Sequence, residues 1–227
     1  MTLGILLPSR GRAHNLSRFL DAVSMTALDS HVYVRLDKDD PDLYSYAQIL
    51  DRVNDAEYTL VIGPRTGFAS SMNEMAERAE IDGVTHVGMF GDDVVPVTHG
   101  WDAALVEGLG GRLGVAYGND GLRKKHAPDL PTHYITQIEV YRRLGYLAPP
   151  TIRHLFLDNV ARDIGKILRN FVYVPVDITH HHPWADGEHL HDTTYAEGGR
   201  NSDIRVADQR AYLQWQQQKD WRERLRA

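Results

Sequence analysis

The sequence predicts an α/β protein, with a mostly parallel sheet flanked by helices on both faces and a helix at the C-terminus. Three observations predict it. Short apolar runs alternate with helix-period segments through the first half of the chain, which is the pattern of βαβ units. Hydrophobic residues make up 42% of 227 residues, enough to fill one core, and no linker-like stretch divides the chain. Polar clusters follow several apolar runs directly, and open α/β sheets bind ligands beyond the carboxyl ends of their strands. The expected organisation is one domain over residues 1–200, with residues 201–227 as its helical C-terminal extension.

Each element has its own signal. Residues 3–7 form an apolar strand, ended by Pro8-Ser9-Arg10-Gly11-Arg12. Residues 14–27 place Leu16, Phe19, Leu20 and Val23 at core spacing on a helix. The β-branched and aromatic run 31–36 is a second strand, which runs into the acidic turn 37–42. A short helix over 43–53 and a strand over 57–62 follow. Residues 68–81 are a helix with Phe68, Met72, Met75, Ala76 and Ala79 on one face. Residues 85–90 are a strand ending at Gly91-Asp92-Asp93. A helix over 101–109 and a strand over 113–117 complete the regular half.

The second half is less regular. Residues 118–132 read as a loop at the active edge, and 137–144 as a short helix. Residues 155–168 read as a helix with Asp158 near its start, and 171–178 as a strand pair or one bent strand before His180-His181-His182-Pro183. Residues 183–199 are a polar loop, and 203–225 a terminal helix carrying Trp215 and Trp221.

Composition excludes several classes. Lys and Arg number 25 against 31 Asp and Glu, a net charge of −6 that argues against a dedicated duplex-DNA binder. With 0 Cys there are no disulfides, thiolate zinc sites or cysteine nucleophiles. No apolar run reaches the ~18–20 residues of a membrane span. The opening residues lack a basic leader and a long enough apolar stretch for a signal peptide. The expectation is a soluble, cytoplasmic protein.

Four motifs carry chemistry. Asp92 and Asp93 follow an apolar strand, and paired carboxylates suit Mg²⁺ or Mn²⁺ bound together with substrate phosphates. A simple Gly-Asp-Asp turn is the plain alternative. His180 and His182 share one face if their segment is extended, and imidazole is a good ligand for Mn²⁺. A polar loop bonded to backbone is the alternative there. Pro8, Ser9 and Arg10 lead into a helix, where backbone N–H groups and arginine favour anions. The segment is neither Gly-x-Gly-x-x-Gly nor a P-loop. Asp158 enters a helix either as a cap or as a general base.

Lesser candidates surround these. Residues 67–73 start a helix with small side chains, and Ser71 with Glu74 has capping-box spacing. Gly67, Ser71 and Asn73 are candidate substrate contacts on that edge, as are Asn119 and Asp120 in a strand-end loop. Lys124, within Arg123-Lys124-Lys125, is either solvated surface or a grip on a diphosphate or an anionic acceptor.

Taken in order, Pro8-Ser9-Arg10, Asp37, residues 67–73, Gly91-Asp92-Asp93, Asp158 and His180/His182 resemble the nucleotide-sugar glycosyltransferases of GT-A fold, family-2-like. The resemblance spans residues 3–183 and is closest to bacterial and phage-type members that carry Gly-Asp-Asp in place of Asp-x-Asp. It implies a Rossmann-like GT-A sheet and a metal-dependent, inverting transfer of a sugar from a nucleoside-diphosphate sugar to an acceptor hydroxyl. It implies that Pro8, Ser9, Arg10 and Asp37, with Asp39 as fallback, hold the nucleoside. Asp93 first, then Asp92, with His180 or His182, would bind Mn²⁺ or Mg²⁺ on the diphosphate, and Asp158 would be the catalytic base.

A UDP-sugar is the expected donor. The acceptor is open between a glycan, a lipid-linked sugar, a protein side chain and a modified DNA base, and a homodimer through the terminal helix is a further expectation. Two alternatives stand beside this reading. One is a nucleotidyltransferase acting on a sugar phosphate. The other is a non-catalytic nucleotide-sugar-binding module, which Gly91 in place of an acid keeps open.

Overall fold

The computed structural model describes residues 3–53, 58–122, 129–181 and 203–227. The strands are β1 (Leu3–Ser9), β2 (Ser30–Asp37), β3 (Tyr58–Gly63), β4 (His86–Met89), β5 (Val94–Pro96), β6 (Val115–Asn119), β7 (Tyr134–Gln137) and β8 (Phe171–His180). The helices are α1 (Ala13–Thr26), α2 (Leu43–Leu50), α3 (Phe68–Ile81), α4 (Trp101–Gly108), α5 (Ile138–Leu144) and α6 (Leu157–Ile167), followed by α7 (Asp203–Gln217) and α8 (Asp220–Arg226).

The strands form one sheet in the order β3-β2-β1-β4-β7-β6-β8-β5. β1 pairs in parallel with β2 and β4, β2 with β3, and β6 with β8. β7 runs antiparallel to both neighbours, and β5 antiparallel to β8. The antiparallel β7 lies between β4 and β6, so β6 and β8 point the same way as β1 to β4. The carboxyl ends of β1, β2, β3, β4, β6 and β8 therefore share one edge.

Core residues sort by strand alternation, because successive side chains point to opposite faces. Leu6 and Tyr33 face one layer with Met72, Val140, Val160, Trp215 and Trp221. Ile5, Leu7, Val32 and Val34 face the other with Leu16, Phe19, Tyr46 and Trp101. α3, α5, α6, α7 and α8 thus cover one face, and α1, α2 and α4 the other. β1 is buried along almost its whole length, as expected of a central strand covered on both faces.

The α/β class, the parallel strands and the two-sided helical cover match the expectation. Two local features differ, the added strands and the divided terminal helix, and one open reading is decided. β5 and β7 have no counterpart in the sequence reading. β5 has three residues, too few to show alternation, and β7 runs straight into α5, so its apolar run merges with the helical pattern. The segment 171–180 is one bent strand, with a register shift against β6 between Tyr117 and Asn119. The single terminal helix is two. The chain turns between α7 and α8, the Trp215 and Trp221 rings stack at 4.2 Å, and Trp221 Nε1 donates to the Trp215 carbonyl at 3.0 Å. α8 is tied to α5 where Arg143 donates to the Leu225 carbonyl at 2.8 Å. Among the described residues, no helix is long and apolar enough to cross a membrane.

Candidate active site

Five strand ends deliver polar side chains to the shared edge: Ser9 from β1, Asp37 from β2, Asp92 and Asp93 after β4, Asn119 and Asp120 at the end of β6, and His180 from β8. A Cβ at Gly91 would stand 2.5 Å from Asp93 Oδ1, so a side chain there would displace the Asp93 carboxylate. The missing side chain lets the Asp93 carboxylate fold back over the turn.

Asp92 is buried and held from two sides. Ser9 Oγ donates to Asp92 Oδ2 at 2.6 Å, and Arg12 Nη1 donates to Oδ1 at 3.1 Å. Arg12 also stands 3.8 Å from Asp93 Oδ2. Tyr46 closes the group, with its hydroxyl 2.7 Å from Ser9 Oγ and accepting from the Arg12 amide at 2.9 Å. Burial and the adjacent Asp93 charge push the Asp92 carboxyl up, while Arg12 and Ser9 pull the other way. Asp93 Oδ1 lies 3.4 Å from His180 Nε2, and the Asp93 carbonyl accepts from the His181 amide at 2.8 Å.

The second cluster sits at the ends of β1 and β2. Arg10 donates to Asp37 at 3.1 Å and to Asp39 at 2.9 Å. That hydrogen bond holds the Asp39 carboxyl below its usual range. Asp37 is gripped from behind by Arg35, whose Nη1 reaches Oδ1 at 3.2 Å. Arg35 is only 1% exposed. It also donates to Glu74 at 2.7 Å, to the Pro64 carbonyl at 2.7 Å and to the Leu36 carbonyl. Asp40 Oδ2 accepts from the Gly11 amide at 2.9 Å, which joins the two strand-end loops.

Asp158 occupies the first turn of α6, half-buried. Burial raises its carboxyl above the ordinary aspartate range, with the Asn159 amide, donating at 2.8 Å, and the Arg162 charge as partial offsets. Burial raises the pKa of the Tyr134 hydroxyl and the Asp158 charge adds to it; that hydroxyl donates to Met89 Sδ at 3.8 Å. Met89 ends β4, and Leu157, next to Asp158, packs in the same core layer as Met89 and Tyr134.

Other predicted contacts are committed elsewhere. Ser71 caps nothing: Gly67 is the N-cap of α3, with φ of 91°, and Ser71 is buried inside the helix. Its expected capping-box partner Glu74 instead bonds Arg35. Asn73 donates to the Ala148 carbonyl at 2.8 Å and accepts from the Leu147 and Ala148 amides, both at 2.8 Å. Asn73 is therefore a clamp on that loop rather than a substrate contact. Asp120 is buried, bonded to the Leu122 amide and to Thr132 Oγ1 at 2.8 Å each, and it shapes its own loop. Asn119 donates to Asp177 at 2.8 Å. Pro8 lies in β1 beside Ser9. His182 and Lys124 lie outside the described residues.

Sequence reading passed over Arg12, Arg35, Tyr46 and Asp208. Arg35 did leave a signal, since a lone arginine within an apolar strand needs a buried partner. Arg12 was visible only as the second arginine of a loop. Tyr46 and Asp208 look like ordinary helix residues in the sequence.

No protein-family model matches the chain, and no curated protein is similar to it in sequence. Solved structures are similar in fold. A mannosyltransferase from Pyrobaculum calidifontis, in complex with GDP-Man and Mn²⁺, superposes with a TM-score of 0.69 at 14% identity, over 99% of this chain and 68% of that one. The chain shares the fold of this mannosyltransferase. S. aureus TarS residues 1–349, in complex with UDP, superpose with a TM-score of 0.54 at 12% identity, over 80% of this chain and 58% of that one. A longer TarS structure gives 0.55 at 13% identity, over 92% of this chain and 42% of that one.

Proposed function

We propose that the protein is an inverting glycosyltransferase that moves a sugar from a nucleoside-diphosphate sugar, a UDP-sugar in the first instance, to an acceptor hydroxyl. What supports this reading is the acidic strand-end pocket and the Asp93–His180 pair on one sheet edge, with the half-buried carboxylate of Asp158 at the start of α6. The fold shared with proteins solved with GDP-Man and UDP supports it.

In this reading Asp37 accepts from the base or ribose of the donor, and the double grip of Arg10 and Arg35 fixes its direction. Asp39 is the exposed neighbour on the same arginine. Ser9 and Pro8 form the floor, with Ser9 held by Asp92. The raised pKa of Asp158 makes it a stronger base than an exposed aspartate. Asp158 takes the proton from the acceptor hydroxyl as that oxygen bonds to the anomeric carbon. The bond from that carbon to the diphosphate oxygen breaks on the opposite side, so configuration inverts.

Mn²⁺ or Mg²⁺ fits here as an open site rather than a cage. Among the described residues, no group of three or more His, Cys, Asp or Glu side chains could hold an ion alone. Asp93 and His180 offer one carboxylate and one imidazole at 3.4 Å, a donor set suited to Mn²⁺ completed by diphosphate oxygens. Asp92 fits less well, because Arg12 and Ser9 already engage it. A bound divalent ion would neutralise charge developing on the departing diphosphate.

The engagement of Asp92 by Arg12 also favours a second reading, a nucleotide-sugar-binding module without turnover. A thermal-shift screen of UDP, GDP, TDP and CDP, with and without Mn²⁺, tests the first half of the proposal. A metal-dependent shift with one nucleotide is expected, and no shift with any of them would overturn it. Nucleoside diphosphate released from a donor sugar, without pyrophosphate, supports glycosyl transfer over nucleotidyl transfer. No release under any condition leaves the binding module.

A further inference from the structure

Asp208 lies on α7, far along the chain from the sheet, and is only 1% exposed. Its Oδ1 accepts from the Arg153 amide at 2.9 Å, and its Oδ2 accepts from the His154 and Leu155 amides at 2.9 and 2.8 Å. Three successive N–H groups turned to one point form an anion-holding concavity. Here the chain fills it with its own carboxylate.

The turn so fixed leads straight into Asp158. Phe156, which follows it, is the N-cap of α6 and adopts a left-handed φ of 68°. A non-glycine residue persists there only when its surroundings hold it. The Phe156 ring stacks on Tyr212 at 5.7 Å, one helical turn beyond Asp208 on α7. The Tyr212 hydroxyl donates to Asp163 at 2.8 Å, five residues beyond Asp158 on α6. From the other side, the Arg153 carbonyl accepts from the Ala69 amide at 3.0 Å, at the start of α3. A Cβ on Gly67 would stand 3.4 Å from the same carbonyl. The entry to α6 is therefore held between α3 and α7, and Asp208 supplies most of the polar contacts on the α7 side.

We infer that Asp208 is a positioning residue: the C-terminal helix sets where α6 begins and so where the Asp158 carboxylate stands relative to the donor site. This rests on the reading of Asp158 as the base. A carboxylate displaced by about 1 Å can lose about 100-fold in rate, whereas among the described residues the side-chain hydrogen bonds of Arg10, Asp37 and Asp39 stay within β1, β2 and the loops that follow them.

The test compares wild type, Asp208→Ala, Asp208→Asn and Asp158→Asn in the full chain. In Asp208→Ala, amide exchange of residues 153–158 is expected to rise at least about tenfold while β1 and β4 keep their protection. Release of nucleoside diphosphate from UDP-glucose, UDP-N-acetylglucosamine and GDP-mannose with Mn²⁺ is read in parallel. The donor that turns over should show kcat down about 100-fold with KM unchanged. Asp208→Asn should fall between, since its amide oxygen can take two of the three N–H groups. If Asp208→Ala does not fold, the Asn variant carries both readouts. Unchanged exchange at 153–158 overturns the inference, as does kcat within twofold of wild type or a KM that rises as kcat falls. If Asp158→Asn turns over normally, the base assignment fails, and the exchange result still stands or falls on its own.

Discussion

The two halves of the functional edge handle charge in opposite ways. At the ends of β1, β2 and β4, most acids of the two clusters meet a guanidinium: Asp37 and Asp39 with Arg10, Asp37 and Glu74 with Arg35, Asp92 and Asp93 with Arg12, while Asp40 is held by the Gly11 amide. At the start of α6, Asp158 is set mainly by burial, and Arg162 offsets it only in part. The first region is locked before any ligand arrives, which suits a pocket that must present fixed acceptors to a nucleoside. The second keeps a carboxylate poorly solvated and basic, which suits proton transfer. In the proposed function these two regions supply rigidity for binding and reactivity for chemistry, and the two come from different packing.

The sharpest way to break this contrast is to remove the reactive member. Asp158→Asn is expected to lower transfer by about 10²–10⁴-fold, the usual worth of a general base. Its melting temperature should be equal to or above wild type, because a buried carboxylate that resists ionisation costs the fold something. A lowered melting temperature together with normal turnover would make Asp158 a structural cap.

Arg12→Ala tests the locked region. It strands Asp92 as a buried carboxylate without its cation, and broken buried pairs cost about 3–5 kcal/mol. Denaturant unfolding should show that loss, whereas a change under about 1 kcal/mol would mean that water or relaxation replaces the pair.

Asp102 offers a control for Asp208. It is buried and accepts from the Leu28 and Asp29 amides and from Ser30 Oγ, at 2.8–3.1 Å, in the turn between α1 and β2. Asp102→Ala is expected to destabilise by about 1–3 kcal/mol with kcat unchanged at temperatures where the variant is folded. A large kcat effect there would show that any loss of a buried cap disturbs the site.

Two further effects are read from pH. His133 is stacked on Phe90 at 5.5 Å, and among the described residues neither of its ring nitrogens has a hydrogen-bond partner. Burial pushes its pKa down to about 3. The unfolded chain binds that proton near pH 6.5, so stability should fall by about 1.4 kcal/mol per pH unit as pH drops below that value. His133→Phe should flatten this slope, as read from urea midpoints across pH. Asp158 has the opposite sign for folding. Its raised pKa means that protonation favours the folded state as pH falls through it, while kcat declines over the same range because the base must be ionised. A kcat limb at ordinary aspartate values would place Asp158 in contact with water.

The legible parts of the site were those tied to strand ends. Ser9, Asp37, Asp92, Asp93 and His180 each follow an apolar run, and the parallel topology carries all of them to one edge. The helix-borne candidates fared differently. Ser71 and Asn73 look accessible in sequence because small polar residues at a helix start usually are, yet α3 turns Ser71 inward and spends Asn73 on the 147–148 backbone. Arg12 and Arg10 are two residues apart in one loop and cannot be told apart by composition. Only the position of Asp92 sends one inward and leaves the other at the pocket.

By itself the sequence determined the α/β layering, because alternation and helical period dictate which side chains must leave water. It also determined which acids and histidines end strands. What the tertiary structure alone decided is the partner of each charge, the insertion of β7 between β4 and β6, and the capture of the 153–155 turn by Asp208. Apart from Arg35 and Asp37, these partners lie tens of residues apart, and no local pattern encodes a distance in space. They are chosen by the packing of whole elements, which places a buried carboxylate where the unpaired N–H groups of another segment need it.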